Sequence, residues 1–167
     1  MERPTRISRP YMPGYGTLPA NEGTGLLPWS WAEERLVASR NYWLVSVWPS
    51  GAPHAMPVWG LWHENAFLFS SSKPSRKAKN LGENPRCAVA TEDALNPVVV
   101  EGVAALLTKT EDLELLLALE NAKYETDYKI DMLDPAVNSC FRVSPRWVFG
   151  LKEGDFTGSP TRWDFET

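Results

Sequence analysis

The alternation of apolar and polar positions predicts six β-strands. Segments rich in aromatic and β-branched residues are separated by turn sequences such as Pro49-Ser50-Gly51 and His63-Glu64-Asn65. The predicted strands are residues 42–48, 53–62, 66–71, 86–91, 97–108 and 140–151. Because the first three follow one another through tight turns, we expect them to form an antiparallel meander.

Apolar residues at helical spacing predict three helices. The pair Ser30 and Glu33 matches a capping box and opens a helix that runs to about Ser39, with Trp31, Leu36 and Val37 on its buried side. A short helix is expected to begin near Ser75 and to end at Asn84-Pro85. Thr108 and Glu111 form a second capping box, which opens a helix with Leu113, Leu116, Leu117 and Tyr124 at helical spacing.

The first 28 residues differ from the rest of the chain. They contain many prolines and glycines and no periodic apolar pattern, which predicts an extended, irregular arm on the surface or on a partner subunit. Residues 29–167 are expected to form a single domain that ends in a polar tail from Lys152. Strands interrupted by one short helix favour a barrel, so the predicted fold is mainly β (α+β), an antiparallel barrel with short flanking helices.

Charge and composition narrow the possible partners. The formal net charge is -4 and the pI is about 5.3, which argues against a nucleic-acid-binding protein. No apolar run approaches the roughly 20 residues that cross a bilayer, and no secretory signal is recognisable, so we expect a cytoplasmic protein without a membrane partner. Cys87 and Cys140 are far apart and outside any metal-ligand pattern, and both are expected to be reduced and buried in strands.

A candidate anion site lies where the third predicted strand leads into the short helix. Free amides at a helix N-terminus favour an anion. The hydroxyls of Ser71, Ser72 and Ser75 and the charges of Arg76 and Lys77 would add to them. Two basic residues in the first turn also oppose the helix dipole, and an anionic ligand would relieve that mismatch. This pattern predicts a site for a cofactor phosphate, and the alternative from the residues alone is a solvated basic turn.

The preceding segment, residues 50–62, contains residues suited to line a flat cofactor ring. Pro53 and Pro57 cannot donate to a sheet, which predicts an edge strand or a bulge. Gly60 would allow a close approach to the backbone, and Trp59 and Trp62 are candidates to line the ring, with core packing as the alternative for each. The two histidines, His54 and His63, are isolated, and neither forms a catalytic set with a serine or cysteine.

The segment from Arg40 to Gly102 resembles the pyridoxamine 5'-phosphate oxidase-like superfamily of FMN-binding split barrels. More narrowly, it is similar to the flavin/deazaflavin-dependent oxidoreductase branch. The resemblance is carried by Gly51-x-Pro-His54, Pro57-Val58-Trp59-Gly60, Ser75-Arg76-Lys77-Ala78-x-Asn80-Leu81 with Asn84-Pro85, Val98-Val99-Val100-Glu101-Gly102 and Gly158-Ser-Pro-Thr-Arg162-Trp163. No single motif is diagnostic, but their order and spacing together are specific.

The resemblance implies roles for these residues. Arg76 and Lys77 match the basic pair that binds the cofactor phosphate, supported by Ser71, Ser72 and Ser75, and Asn80 belongs to the same motif. Pro57, Val58 and Trp59 match the strand whose backbone lines the tricyclic ring. Relatives form homodimers with cofactor sites at the interface, so Arg162 and Trp163 of the tail would cover the partner's site.

The expected function is that of an oxidoreductase that uses the deazaflavin coenzyme F-420 or FMN. It would transfer a hydride to or from a small conjugated substrate, and the cofactor would supply the chemistry, since the sequence shows no obvious acid, base or nucleophile. The alternatives are a non-catalytic protein of the same fold that holds a flavin, haem or fatty acid, and a pyridoxamine phosphate oxidase-like enzyme. The pyridoxamine phosphate oxidase-like reading is weakened because the sequence shows no second phosphate site, which that substrate would need.

Overall fold

An antiparallel sheet of nine strands dominates residues 4–166, the part of the chain that the computed structural model describes. The strands are β1 (Arg6–Ser8), β2 (Tyr42–Val47), β3 (Pro53–Val58), β4 (Leu61–His63), β5 (Ala66–Ser72), β6 (Arg86–Thr91), β7 (Val98–Leu106), β8 (Asn138–Gly150) and β9 (Thr161–Asp164). The flanking helices are α1 (Trp29–Ala38), α2 (Arg76–Glu83) and α3 (Thr110–Tyr124), and short 3-10 helices lie at Ile130–Leu133 and Glu153–Asp155. The predicted fold class, a mainly β antiparallel split barrel with short flanking helices, is confirmed.

The 13-residue strand β8 joins the two parts of the sheet. One of its edges pairs with β7 from Phe141 to Gly150. The other edge pairs first with β5, up to Val143, and then with β9, from Trp147 onward. The order of the main path is β1-β9-β8-β7-β6-β2-β3, with β5 and β4 branching from β8. The strands that carry the candidate site therefore depend on β8 for their relative position.

Along the strands, residues buried in the core alternate with residues that are more exposed. In β2, Tyr42 and Leu44 are buried, whereas Trp43 between them is 48% exposed. The main core contains 22 buried residues, and its largest fully buried side chains include Trp163, Tyr42, Phe67, Phe69, Leu36 and Leu44. A smaller leucine-rich cluster forms beneath α3 from Leu61, Leu68, Leu113, Leu116, Leu133 and Cys140. Both cysteines are free and buried in strands, as the sequence predicts.

The predicted strand over residues 53–62 is wrong, because the chain breaks at Trp59-Gly60 into β3 and β4. Within residues 4–166, strand β3 pairs only with β2, and β4 pairs only with β5. A Cβ atom on Gly60 would lie 2.3 Å from Cζ of Phe67, so the chain at this break runs directly over the Phe67 ring. The edge position predicted for the proline-containing strand is confirmed, since β3 is the last strand of the sheet path.

The prediction of a polar tail is also wrong, because residues 152–167 include β9. Trp163 is fully buried and Phe165 is 6% exposed, so the alternation Arg162, Trp163, Asp164, Phe165 is that of a half-buried strand. On its other side β9 pairs with β1, so the arm expected to be irregular contributes a strand. The four-residue alternation was too short to stand out beside the charged residues around it.

Two of the three predicted helix starts are wrong in detail. Helices α1 and α3 have Pro28 and Lys109 at their N-caps, and neither is capped by a side chain. Trp29 packs against Trp163 and Phe165, with ring centroids 5.8 Å and 5.1 Å away, and this packing explains why α1 begins before Ser30. Val37, expected on the buried side of α1, is 55% exposed. The predicted start of α2 is confirmed, with Ser75 as its N-cap.

The arm is fixed to the barrel by hydrogen bonds. The Arg9 guanidinium donates to four backbone carbonyls, those of Leu18, Pro19, Glu22 and Pro160. The Asp155 carboxylate accepts from the amide and hydroxyl of Thr24 and from the amide of Gly158. The arm therefore lies along the C-terminal strand of its own chain. None of the helices in residues 4–166 is long and apolar enough to span a membrane.

We expect Glu120→Gln to stabilise the fold at neutral pH. Glu120 is 7% exposed on α3, and among the described residues no donor reaches its carboxylate. Burial raises the pKa of Glu120, so ionised Glu120 destabilises the folded state at neutral pH. This destabilisation disappears as the pH falls through the raised pKa of Glu120, because the carboxyl group is then neutral. The gain in free energy of unfolding should therefore be larger at pH 7.5 than at pH 5, measured by urea denaturation.

The matched control is Glu114→Gln, an exposed position on the same helix. It should change the free energy of unfolding little at either pH. Equal stability of wild type and Glu120→Gln at pH 7.5 would show that the buried carboxylate carries no such cost.

Candidate functional site

Helix α2 begins with a hydroxyl pair that shapes the predicted anion site. The Ser75 hydroxyl accepts a hydrogen bond from the amide of Ala78 at 3.3 Å, and its oxygen lies 2.8 Å from the hydroxyl oxygen of Ser71 on β5. The amide of Ser75 donates to the carbonyl of Ser72 at 2.9 Å. The three predicted serines are therefore brought together at the end of β5, with Ser72 the most exposed of them.

A buried asparagine orients Arg76. The Asn80 amide group is fully buried; it donates to the hydroxyl of Ser46 on β2 at 3.0 Å and accepts from Nε of Arg76 at 2.8 Å. The Arg76 guanidinium lies over the Trp48 ring, 4.5 Å from its centroid. Asn80 thus acts on the site through Arg76, while the terminal nitrogens of Arg76 have no partner among the described residues.

Lys77 is the second cation at the start of α2. It is half-buried, and the described residues provide it with neither an ion pair nor a side-chain hydrogen bond. The first turn of α2 contains no acidic residue, so Arg76 and Lys77 both face the positive end of the helix dipole. An anion at this position would compensate two side-chain charges and the free amides of the first turn.

The edge strand β3 extends away from the anion site. Trp48, under Arg76, is in ring contact with His54 on β3 at a centroid distance of 5.9 Å. Farther along the strand, Pro57 is exposed, whereas the Val58 side chain is buried in the core, so only the backbone of Val58 faces outward. The second edge of β3 pairs with no strand in residues 4–166, which leaves its backbone available to a ligand.

Trp59 forms an aromatic stack with Tyr124 at the far end of β3. The two ring centroids are 4.1 Å apart with an interplanar angle of 2°, and Trp59 remains 40% exposed. The amide of Gly60 donates to the Tyr124 hydroxyl at 2.9 Å, and that hydroxyl lies 2.6 Å from the carbonyl of Arg40. Hydrogen bonds therefore hold Tyr124 in place, and Trp59, stacked on it, stays partly open to solvent. Trp62, the other candidate, is buried in the core.

Lys123 lies next to this stack in a partly desolvated position. Its ammonium group donates to the hydroxyl of Tyr42 and to the carbonyl of Gly60, both at 2.8 Å. Burial lowers the pKa of Lys123 to about 8, and it raises the pKa of the Tyr42 hydroxyl. Close to neutral pH this lysine can therefore exchange a proton, unlike a solvated lysine.

The two tail residues lie elsewhere in the protomer. Ser71 is paired with Ser139 near the start of β8, and Arg162 is paired with Phe149 near its end. Ten strand residues separate these two positions of β8, or about 33 Å. Arg162 is ion-paired with Asp164 at 2.7 Å and lies over the Trp147 ring, whereas Trp163 is fully buried and packs against Trp29. Of the two, only Arg162 reaches the surface.

Four residues of the site, Trp48, His54, Lys123 and Tyr124, were not predicted from the sequence to belong to it. Trp48 and His54 meet because the β2–β3 hairpin places Val47 opposite Pro53. The predicted hairpin was therefore a signal from which this contact could have been found. Lys123 and Tyr124 join the site from α3, more than 60 positions beyond Gly60. Nothing in the local sequence of α3 indicates that its last turn packs against residues 59–60, between β3 and β4.

Solved structures with the same fold include proteins of several functions. The conserved hypothetical protein Rv2991 from Mycobacterium tuberculosis superposes with a TM-score of 0.66 at 21% identity, covering 83% of this chain and 85% of its own. An F420 reductase gives a TM-score of 0.58 at 20% identity, with coverages of 70% and 94%. The heme storage protein HutZ from Vibrio cholerae gives 0.56 at 20% identity, with coverages of 70% and 85%. At these identities the likeness shows the fold.

The sequence itself matches a family model. Among curated proteins no relative matches the chain significantly. The model that describes pyridoxamine 5'-phosphate oxidase matches residues 32–152, well over half of the chain, and these residues include β2 to β8 and the whole of α2. This match agrees with the fold and with the resemblance noted in the sequence. The chain therefore belongs to the pyridoxamine 5'-phosphate oxidase family.

Proposed function

We propose that the protein binds a phosphate-bearing tricyclic cofactor, the deazaflavin coenzyme F-420 or FMN, and transfers a hydride between it and a small conjugated substrate. The observation that carries the proposal is the cationic start of α2, where Arg76 and Lys77 have unused donors beside the open edge of β3. The fold and the family support it, since an F420 reductase is among the structures of this fold.

The residues present fit such a group. Arg76 and Lys77, with the free amides of α2, would hold the phosphate, and Asn80 would keep Arg76 in place. The backbone of residues 57–59 would line the ring, with the Trp59–Tyr124 stack at one end. A bound cofactor of this type accepts or donates the hydride. The chain would bind and orient it and exclude water.

A basic groove next to α2 favours F-420 over FMN, because F-420 carries an acidic tail. A cavity of about 480 Å³ is lined by Ser72, Lys73, Lys79 and Val137, among others, beyond the phosphate site. Lys73 is held there by a hydrogen bond to the carbonyl of Pro135, and Lys79 is exposed. Two lysines along this groove would pair with carboxylates that FMN does not have.

The second candidate function is non-catalytic storage or transport of a flavin, haem or fatty acid. It is supported by the heme storage protein of the same fold. A vitamin B6 oxidase activity is a third candidate within the family. Oxidation of the reduced, bound cofactor by an added conjugated enone would distinguish an enzyme from a storage protein.

We further propose a homodimer that forms through the outer face of the sheet. Most residues that alternate with the core positions of β2, β6, β7 and β8 are apolar on this face, namely Trp43, Val45, Ala88, Ala90, Val99 and Phe149. Glu101, opposite Ala88, and Arg86 are charged positions at its border. The water-facing side of an antiparallel sheet is ordinarily polar, so an apolar face of this extent favours burial. A second copy would cover it, and Arg162 would then approach the partner's cofactor site. Such a dimer is expected in the cytoplasm, where both cysteines stay reduced.

We expect Lys77→Ala to weaken cofactor binding without unfolding the protein. Losing one charge-assisted contact to the phosphate should raise the dissociation constant about tenfold or more. Titration of the wild type and the variant with FMN and with F-420, followed by tryptophan fluorescence, measures this change and identifies the preferred cofactor. The control is Lys109→Ala, an exposed lysine at the start of α3. Unchanged affinity of Lys77→Ala for both cofactors would remove the phosphate assignment.

We expect Val99→Asp to dissociate the dimer. Val99 lies between Ala90 and Phe149 on the outer face, and an unpaired carboxylate there would be buried on association. The dimer dissociation constant from sedimentation equilibrium should rise at least about tenfold. Leu95→Asp, at a position that is 59% exposed outside the strands, should leave it unchanged. A monomeric wild type would contradict the proposal.

A further inference from the structure

A second pocket lies beside the first turn of α3, and we call it the α3 pocket. It has a volume of about 260 Å³, and the residues that line it include Glu64, Leu68, Leu107, Asp112, Leu115 and Arg142. Arg142 on β8 is paired with Leu68 on β5, and Leu68 packs beneath α3 in the leucine-rich cluster. Pockets for drug-sized ligands measure roughly 300–1,000 Å³, so the α3 pocket is suited to a smaller molecule.

The α3 pocket is separate from the proposed dimer face and from the candidate cofactor site. Arg142 lies seven residues before Phe149 on β8, or about 23 Å, and α3 itself covers this part of the sheet. Asp112 and Tyr124 are 12 positions apart on α3, or about 18 Å, so the pocket and the aromatic stack lie at opposite ends of the helix. The seven-residue strand β5 separates the pocket from the start of α2 by about 20 Å.

Two opposite charges line the α3 pocket without pairing with each other. Arg142 and Asp112 are both half-buried, and neither takes part in an ion pair among residues 4–166. The Arg142 guanidinium makes one long contact, from Nη2 to the carbonyl of Glu64 at 3.4 Å. The carboxylate of Asp112 accepts no hydrogen bond from the part of the chain that the structure describes. Most donors of Arg142 and all acceptors of Asp112 are therefore available to a ligand.

The remaining lining of the α3 pocket is largely apolar. Leu68 is 4% exposed, and Leu107 packs against the same leucine-rich cluster. Leu115 follows Asp112 by three positions on α3, so the two side chains lie on one face of the helix. Leu115 is nevertheless 43% exposed. An aliphatic group bound in the pocket would remove this leucine surface from water.

We propose that the α3 pocket binds a free aliphatic α-amino acid, with Arg142 as the ligand of its carboxylate and Asp112 as the ligand of its ammonium group. A guanidinium holds a carboxylate through two parallel hydrogen bonds, and an ammonium group has three donors for a carboxylate to accept. The leucine side chains receive the aliphatic part of the ligand. This site shares no residue with the candidate cofactor site and does not depend on the proposed function.

The charges of the α3 pocket select a molecule that carries both signs. A simple carboxylate would be attracted by Arg142 and repelled by Asp112 and by the exposed Glu64 at the β4–β5 turn. A simple amine would be attracted by the two carboxylates and repelled by Arg142. An α-amino acid presents its two charges on neighbouring groups and so compensates both sides of the pocket.

The test is calorimetric titration of the full chain with L-leucine at low ionic strength. The comparison ligands are 4-methylpentanoate, which lacks the ammonium group, 3-methylbutylamine, which lacks the carboxylate, and glycine, which lacks the aliphatic side chain. We expect saturable binding of L-leucine, and an affinity at least about tenfold lower for each of the other three ligands.

The variants Arg142→Gln and Asp112→Asn remove the two charges one at a time. Each should lower the affinity for L-leucine about tenfold or more, and Asp112→Asn should bind 4-methylpentanoate more tightly than the wild type does. The matched control is Glu111→Gln, an exposed neighbour of Asp112 on α3, which should keep the wild-type affinity. Because Asp112→Asn preserves the size of the side chain, it remains informative if Arg142→Gln is unstable.

Three results would overturn the amino acid site. The first is the absence of saturable L-leucine binding to the wild type, and the second is an unchanged affinity for L-leucine in Asp112→Asn. The third is a loss of L-leucine binding in Lys77→Ala, which would place the ligand at the start of α2. We expect Lys77→Ala to lose cofactor affinity and to bind L-leucine as the wild type does, whether or not the wild type binds a cofactor.

Discussion

The pairing of β8 with three other strands is the constraint on which the structure depends. Its first half holds β5, its second half holds β9, and β7 follows its opposite edge. Because β5 leads directly into α2, this pairing fixes where the serine-rich turn and the two cations emerge. The bulge between β7 and β8 lies near the changeover from β5 to β9. One strand thus positions both the candidate cofactor site and the bulge.

The candidate site consists of side chains that hold other side chains. Asn80 restrains Arg76, and Gly60 restrains Tyr124, which in turn supports Trp59. What remains free are cationic donors, an open strand edge and one indole face. Such an arrangement is suited to binding a preformed reactive group and is poorly suited to generating reactivity from amino acids alone. Lys123, whose pKa is lowered by burial, is the nearest exception, and its ammonium group donates to the Tyr42 hydroxyl beside the stack.

Local chemistry could be predicted from the sequence, and long-range packing could not. The start of α2 was predictable because a strand end, a serine cap and an Asn-Pro stop follow one another within residues 71–85. The break at Gly60 depends on Phe67 crossing beneath it, and the start of α1 depends on Trp163, more than 130 positions away. Strand β9 was missed because four residues of alternation carry little weight until β8 is available beside them. Tyr124 entered the site for the same reason.

The hydrogen bonds between the arm and the last strand also impose an order on folding. Thr5 bonds to Asp164, which is 159 positions away, and β1 has no other strand to pair with among the described residues. Closing so long a loop carries an entropic cost that is recovered only once β9 is itself in place on β8. During synthesis the arm therefore emerges from the ribosome first and docks last. Until then Trp29 lacks its partners Trp163 and Phe165, and the nascent barrel exposes this aromatic surface to water.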